Sequence, residues 1–202
     1  MGVQTYTILK GALTFLDIAN VPRPTQDPFW LCDYTTPLKK PKTICDVGSG
    51  IGTIACIQAL KNPQAQVTGY EIDTNLLNIA NHNAQYNKIG NLIFKPCNIL
   101  IEKPKLKYDL VLSNPPYHNT EKGFKAKSTQ KNLAHGASIQ QMQQWLINCI
   151  SLTQKGGTCT LIHHSHNLEY FTEILKVYDH SITYIETSPA RPPKRFVLNI
   201  HP

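Results

Sequence analysis

The sequence lacks a long uninterrupted hydrophobic run. Its longest apolar candidate, near the N-terminus, is interrupted by Lys10, Asp17, Pro22 and Pro24. A membrane-spanning helix needs about 20 consecutive apolar residues, and a signal peptide needs a compact apolar segment followed by a cleavage site. We therefore expect neither a membrane span nor a secretory signal, and we expect the protein to work in the cytoplasm.

Closely spaced cysteine pairs are also missing. The 6 cysteines form no Cys-x-x-Cys pair, and most of them lie in apolar stretches where a free thiol acts as a small hydrophobic side chain. This pattern predicts a reducing compartment and no zinc site. The one local cluster of metal-binding residue types, His163-His164-Ser165-His166, follows an apolar strand whose neighbouring side chains point to opposite faces, so we expect no bound metal.

Internal repeats and low-complexity tracts are absent as well. A length of 202 residues suits one α/β domain and is too short for two. The first 41 residues contain five prolines, which prevent long regular elements. We interpret residues 1–41 as an N-terminal extension packed on the domain and residues 42–202 as the domain itself.

From residue 42 onward, short β-rich runs alternate with longer amphipathic stretches, a pattern typical of a doubly wound α/β sheet with helices on both faces. The seven predicted strands are 43–47, 66–71, 92–95, 108–113, 158–163, 181–186 and 195–200. The predicted helices are 53–60, 75–86, 139–153 and 168–177, the third stopping at Gly156-Gly157. The proline-rich turn 189–193 is too short for a crossover helix, so the last two strands should form an antiparallel hairpin on a mostly parallel sheet.

A glycine-rich turn follows the first predicted strand of the domain. The run 46–52 leaves that strand and opens a helix at the carboxyl edge of the sheet, where ligands of this architecture bind. After Asp46, Gly48, Gly50 and Gly52 permit positive φ and let backbone N–H groups approach a ligand. The spacing differs from the dinucleotide Gly-x-Gly-x-x-Gly pattern, and no Lys-Ser/Thr follows to make a P-loop. These four residues are predicted to bind a cofactor.

An acidic residue ends the second predicted strand. Glu71 lies 19 residues beyond Gly52, at the spacing where an acidic side chain binds the hydroxyls of an adenosine ribose, and we assign the adjacent Ile72 to the same site. Loop and acid together favour S-adenosylmethionine (SAM) over NAD and ATP. Asn98, after the third strand, can donate to and accept from the adenine, and a simple turn role after Pro96 is the alternative.

The motif Asn114-Pro115-Pro116-Tyr117 follows the fourth predicted strand at the same edge. An amino group conjugated to a ring or carbonyl is a poor nucleophile because its lone pair is delocalised. The side-chain carbonyl of Asn114 and the backbone carbonyl of Pro115 can accept its hydrogen bonds and redirect the lone pair. Because it follows a strand end close to the glycine-rich loop, Asn114 is also predicted to line the cofactor site. The prolines hold the turn rigid, and Tyr117 offers a face for stacking a base or planar amide. The motif predicts an N-methyltransferase, with an ordinary strand-ending turn as the alternative.

Positive charge exceeds negative charge, with 20 Lys and Arg against 13 Asp and Glu and a formal net charge of +7. This sign is expected of a protein that meets polyanions. Two clusters are predicted to bind RNA phosphates, with solvated surface charge as the alternative. They are Lys122, Lys125, Lys127 and Lys131 beyond the catalytic motif, and Arg191, Lys194 and Arg195 in the terminal hairpin.

The run 46–52, Glu71 and the motif 114–117 resemble those of class I SAM-dependent amino-methyltransferases, a likeness that covers residues 42–200. Within that group, the segments 23–31 and 189–197 and the helix with Trp145 are similar to bacterial tRNA(Val) adenine-N6 methyltransferases, which modify the adenine 3′ of the anticodon. The resemblance implies a Rossmann-like methyltransferase sheet, SAM as cofactor and adenine N6 of tRNA as target. It also implies that Thr25 and Asp27 close over the methionine end of SAM.

Three other functions stay open. The catalytic motif is similar to that of release-factor glutamine N5-methyltransferases, although those normally carry a helical N-terminal domain that the proline-rich segment 1–41 does not predict. It is also similar to that of guanine-N2 ribosomal RNA methyltransferases. From another class, a non-catalytic SAM- or RNA-binding module would bind SAM without transferring its methyl group. We expect a nucleic-acid partner, most simply tRNA, no membrane or metal partner, and a monomeric protein.

Overall fold

A computed structural model of the protein describes residues 4–115, 139–188 and 190–202. The strands are β1 Thr5–Ile8, β2 Leu13–Leu16, β3 Thr43–Val47, β4 Gln66–Glu71, β5 Leu92–Pro96, β6 Tyr108–Ser113, β7 Thr153–His164, β8 Asp179–Ile185 and β9 Arg195–His201. The α-helices are α1 Asp27–Tyr34, α2 Thr53–Lys61, α3 Thr74–Tyr86, α4 Ile139–Leu152 and α5 Thr172–Leu175, and two 3-10 helices span Leu9–Gly11 and Ser165–Phe171.

Seven strands form one sheet in the order β5-β4-β3-β6-β7-β9-β8. Neighbours from β5 to β7 are parallel, whereas β9 runs antiparallel to both β7 and β8. The strand order reverses between β3 and β6, which creates the switch point where ligands of open α/β sheets bind. The predicted doubly wound, mostly parallel seven-stranded sheet with a C-terminal antiparallel hairpin is confirmed.

The central strands are covered on both faces. Every residue of β6 is buried, as expected for a parallel strand with helices on both sides of the sheet. Ile44 and Leu110 belong to the hydrophobic cluster that includes α2, whereas the next residues along the chain, Cys45 and Val111, belong to the cluster that includes α4. Packing on both faces fixes where the carboxyl ends of β3 and β6 lie.

The N-terminal segment opens with an antiparallel hairpin of β1 and β2. Asn87 of the α3 C-cap accepts a hydrogen bond from Thr14 N at 2.8 Å, and Asn83 of α3 accepts one from Leu16 N at 2.9 Å. Leu13 and Phe15 are buried in the core. The prolines of this segment begin only at residue 22, so they leave room for two short strands ahead of them.

The helix predicted over 168–177 is confirmed only in part. The chain instead forms the 3-10 helix Ser165–Phe171 and then the four-residue α5. Phe171 and Leu175 are the buried residues that anchor this stretch, and their spacing of four is compatible with a short turn as well as with a long helix. The periodicity therefore located the apolar face but not the type of helix.

The predicted helix stop at Gly156-Gly157 is wrong. The helix α4 ends at Leu152, and β7 begins at Thr153, which pairs with Tyr108 of β6. Gly156 has a φ of 72° inside β7, next to a shift in the strand register. The glycines thus accommodate an irregularity in a strand. Among the described residues, no helix is long and apolar enough to cross a membrane.

Candidate active site

The glycine-rich loop and the Asn-Pro motif leave the sheet side by side. Val47, the last residue of β3, pairs in register with Ser113, the last residue of β6. Neighbouring strands lie about 4.8 Å apart. Gly48 and Asn114 therefore follow adjacent strand ends at the carboxyl edge. The half-buried Asn114 and the buried Pro115 stand directly beside the loop to which the sequence assigns the cofactor.

A tryptophan from α4 links the two strand ends. Ser113 Oγ donates to the carbonyl oxygen of Val47 at 2.8 Å, and Trp145 Nε1 donates to Ser113 Oγ at 2.9 Å. The indole also packs against Gly48, where an added Cβ would lie 2.9 Å from a ring carbon. Sequence reasoning missed this role and noted Trp145 only within a family resemblance. A lone tryptophan in a glutamine-rich helical stretch was the available signal.

The three loop glycines all have left-handed backbone conformations, with φ of 74° at Gly48, 54° at Gly50 and 86° at Gly52. Their surroundings differ. An added Cβ would meet Trp145 at Gly48 and would lie 2.7 Å from the ring of Phe94 at Gly52, but it would meet nothing within 4 Å at Gly50. Gly48 and Gly52 therefore pack against aromatic side chains, whereas Gly50 borders open space at the sheet edge.

The carboxylate of Glu71, at the end of β4, is fixed beside this open space. Its Oε2 accepts from Gly50 N at 2.7 Å, and its Oε1 accepts from Ile72 N at 2.8 Å and Asp73 N at 2.9 Å. A carboxylate has about four lone-pair sites, so three donors leave one acceptor position for a ligand hydroxyl. The neighbouring residue Ile72 is 53% exposed and presents an apolar surface beside Glu71.

These residues fit the chemistry of SAM. The remaining acceptor position of Glu71 suits a hydroxyl group of the ribose, and exposed Ile72 supplies an apolar surface of the kind on which an adenine packs. The open backbone at Gly50 lets a ligand approach without meeting a Cβ. The Glu71 carboxylate, the exposed Ile72 and the open backbone at Gly50 are therefore chemically compatible with SAM, and their contacts with it stay predictions.

Asp46, the acid ahead of the loop, is completely buried in β3. Its Oδ2 accepts from Ala55 N at 3.0 Å, whereas Oδ1 has no hydrogen-bond partner within the described part of the chain. Burial raises the pKa of Asp46 to about 7; the Ala55 N–H opposes this shift and the negative charge of Glu71 adds to it. Asp46 therefore changes its charge near neutral pH in the ligand-free protein.

This pKa predicts a pH-dependent stability. Because the folded-state pKa of about 7 exceeds the ordinary value of 3.8, the contribution of Asp46 to stability is fully present below pH 4 and is lost as pH rises through 7. Asp46→Asn removes this ionisation. Between pH 5 and pH 8, we expect the unfolding free energy of the variant to fall by about 2 to 3 kcal/mol less than that of the wild type. Urea denaturation without SAM tests this, and parallel pH profiles would contradict it.

Alanine substitutions in the glycine-rich loop distinguish the effect of filling the open space beside Gly50 from the effect of disturbing the packing around Gly48. We expect Gly50→Ala to keep the fold, at a cost of about 1 to 2 kcal/mol for its positive φ. Its methyl group enters the open space, so SAM affinity should fall by about tenfold or more. Gly48→Ala, the matched control, adds a clash with Trp145 and should lower the melting temperature further. Thermal unfolding measures the effect on stability, and calorimetry measures the effect on SAM affinity. If Gly50→Ala bound SAM with wild-type affinity, the proposal that the space beside Gly50 holds SAM would be refuted.

Asn98 forms a turn after β5. Its Oδ1 accepts from Leu100 N at 3.1 Å, and its backbone N donates to Glu102 at 2.7 Å. A side-chain oxygen bonded two residues ahead is the usual geometry of an Asx turn. Asn98 therefore has the turn role that was the alternative prediction, and its contact with adenine stays a prediction.

Asp27 and Arg195, which the sequence assigned to different ligands, form an ion pair. Asp27 is buried at the start of α1, and Arg195 Nε lies 3.0 Å from its Oδ2. Thr25 is exposed two residues earlier, and Arg191 and Lys194 are exposed in the connection before β9. The contacts of Thr25 and Asp27 with SAM, and those of the three basic residues with RNA, stay predictions.

Part of the predicted site lies outside the described residues. This applies to the second half of the catalytic motif, Pro116 and Tyr117, and to the lysines that follow it. Those lysines are Lys122, Lys125, Lys127 and Lys131. The described part of the candidate site therefore consists of the loop, Glu71 and Ile72, and the Asn114-Pro115 strand end.

Comparison with known proteins places this architecture in a family. The pattern of the methyltransferase small domain family matches residues 34–146, which is more than half of the chain. A tRNA1(Val) (adenine(37)-N6)-methyltransferase from Glaesserella parasuis is 31% identical over 171 residues, a match that covers 79% of this chain and 68% of that protein. The region matched by the family pattern includes the glycine-rich loop and Glu71.

Solved structures agree on the fold. A predicted O-methyltransferase, Atu636 from Agrobacterium tumefaciens, gives a TM-score of 0.65 at 17% identity and covers 86% of this chain and 79% of that one. TYW2 of M. jannaschii in complex with AdoMet gives 0.64 at 13% identity, with coverage of 98% and 84%. The predicted methyltransferase relationship and its SAM cofactor are confirmed. The chain belongs to the methyltransferase small domain family and, within it, to the family of the tRNA1(Val) (adenine(37)-N6)-methyltransferases.

Proposed function

We propose that the protein transfers the methyl group of SAM to the exocyclic N6 of an adenine in tRNA. The observation that carries this proposal is the register pair of Val47 and Ser113, which sets the cofactor loop and Asn114 on adjacent strand ends. The relative from Glaesserella parasuis is named for adenine 37 of tRNA1(Val), and this similarity supports the same nucleotide as the target. A protein amide or a guanine has no comparable support.

The chemistry assigned to this chain is positioning and polarisation. SAM, when bound, supplies an electrophilic methyl group. The side-chain oxygen of Asn114 and the backbone carbonyl oxygen of Pro115 accept the two N–H groups of the target amine, so that its lone pair turns out of the ring plane. Pro115 has no N–H to compete for these acceptors. Ser113 and Trp145 hold the strand end on which both acceptors stand.

The charge of the protein suits a nucleic-acid substrate. With a formal net charge of +7, the surface attracts a polyanion, and RNA affinity should decrease steeply with salt. Exposed Arg191 and Lys194 lie in the connection before β9, which starts beside the end of β7 at the edge that holds the cofactor loop. We also propose that the enzyme meets its tRNA substrate in the cytoplasm and acts there as a monomer.

Methyl transfer with labelled SAM tests the proposal. The protein is incubated with tRNA1(Val) transcripts, with ribosomal RNA and with release factor, and the products are identified by mass spectrometry. We expect N6-methyladenosine in the tRNA alone, and none in a transcript that carries guanine at position 37. Methylated glutamine in release factor or N2-methylguanosine in ribosomal RNA would overturn the assignment. SAM binding without any transfer would identify a binding module.

A further inference from the structure

A basic cleft lies at the junction of β7 and β9. It has a volume of about 520 Å³, in the range of ligand-binding pockets, and its walls come from the segment after β7 and from the connection before β9. Ser165 N donates to the carbonyl oxygen of Lys194 at 3.1 Å, which ties the two walls together. The polar lining consists of His164, Ser165, His166, Arg191, Lys194 and Arg195.

The positive charges of this cleft have different roles. Arg195 is bound to buried Asp27, so their charges balance, and its Nη1 lies 2.6 Å from His164 Nδ1. Arg191 and Lys194 are exposed, and neither forms an ion pair within the described residues. The Asp27–Arg195 pair therefore builds the wall, while Arg191 and Lys194 give the cleft its net positive charge.

A hydroxyl group and an imidazole ring complete a site for an anion. The Ser165 side-chain oxygen is buried and has no hydrogen-bond partner in the described part of the chain, so one hydroxyl donor remains unused at the wall. The exposed His166 ring lies 5.1 Å from the ring of His164, measured between centroids. Hydroxyl, imidazole, guanidinium and ammonium groups are the donors that bind phosphate oxygens in protein–nucleic acid contacts.

The cleft lies close to the proposed chemistry. Leu161 of β7 pairs with Ser113 of β6, so His164 is three residues further along the adjacent strand. At about 3.3 Å per residue, the cleft begins roughly 10 Å beyond the level of Ser113. A nucleic-acid strand carries about one phosphate per 3.4 Å of helix axis, so a strand with one base at Asn114 has a phosphate within reach of the cleft.

We infer that this cleft binds a backbone phosphate of the RNA near the target nucleotide, and this inference rests on the proposed function. Arg191 and Lys194 supply the charge that holds the phosphate. Arg195 acts through the wall as a positioning residue, because its guanidinium is engaged with Asp27. The contact fixes the position of the strand relative to Asn114 and carries no sequence information.

A pair of double variants tests the inference. Arg191→Gln with Lys194→Gln removes the two cleft charges, while the control, Lys105→Gln with Lys155→Gln, removes two exposed charges at the opposite, amino edge of the sheet. For the cleft variant we expect tRNA affinity about tenfold lower at 0.15 M salt, and a salt slope that is smaller by about 1.4. For the control we expect less than half of each change. Calorimetric SAM affinity should be unchanged in both.

Equal changes in tRNA binding for the two double variants would overturn the inference, since diffuse charge would then explain them. A cleft variant that loses SAM affinity and keeps tRNA affinity would also overturn it, because the cleft would then hold the carboxylate of the cofactor. Methylation of tRNA by the wild type is measured in parallel. If the wild type does not methylate tRNA, the proposed function is refuted. If the wild type methylates tRNA and the cleft variant binds tRNA with unaltered affinity, only the phosphate-binding role of the cleft is refuted.

Discussion

Replacing Asn114 with alanine should lower methyl transfer by about 100-fold or more, the scale of losing one aligned hydrogen-bonding group in an active site. The variant loses the side-chain acceptor that turns the lone pair of the target amine toward the methyl group. The proposed cofactor residues Gly50 and Glu71 lie after β3 and at the end of β4, so SAM affinity should stay within about twofold of the wild type. Single-turnover rates and calorimetry measure the two quantities separately.

Asn114→Asp is the matched variant, because it keeps an acceptor oxygen at the same position and replaces the amide NH₂ group with a second, negatively charged oxygen. We expect its rate to lie between those of the wild type and Asn114→Ala. If alanine at position 114 leaves the single-turnover rate unchanged, Asn114 does not polarise the amine. A roughly 100-fold loss of SAM affinity in Asn114→Ala would instead show that Asn114 acts mainly by binding the cofactor.

Glu71→Ala should weaken SAM binding by about 10- to 100-fold, as expected when hydrogen bonds to a charged acceptor are lost. The substitution also frees the backbone N–H groups of Gly50, Ile72 and Asp73, so the loop loses its anchor. Calorimetric titration with SAM gives the dissociation constant, and thermal unfolding without SAM gives the structural part of the effect.

Glu71→Gln distinguishes the contribution of Glu71 to SAM binding from its contribution to the stability of the loop. Glutamine keeps the size of the side chain and one oxygen acceptor, so the melting temperature should stay closer to that of the wild type. The negative charge is gone, and SAM affinity should still fall by about tenfold. If Glu71→Gln bound SAM as tightly as the wild type, a contribution of the negative charge of Glu71 to ribose binding would be ruled out.

Local patterns in the sequence were enough to predict the strands of the sheet and the position of the candidate site. The β-rich runs ending at Val47, Glu71 and Ser113 are observed as strands with those ends. Because parallel strands present their carboxyl ends at one edge, the glycine loop, the acid and Asn114 were expected to meet there. The register of Val47 with Ser113 makes this proximity explicit.

Contacts between distant segments were beyond the reach of sequence patterns. The ion pair of Asp27 and Arg195 joins residues 168 positions apart, and each residue alone is compatible with a ligand contact. The hydrogen bond of Trp145 with Ser113 depends on how α4 packs on the sheet. The irregularity at Gly156 reflects the pairing of β7 with β6, which local propensity does not encode.

A crystal structure with S-adenosylhomocysteine tests the central claim most directly. The account predicts that the ribose contacts Glu71, that the cofactor lies along the open side of Gly50, and that its sulfur points toward the end of β6 at Asn114. A cofactor bound at another edge of the sheet, or with its sulfur directed away from Asn114, would contradict it.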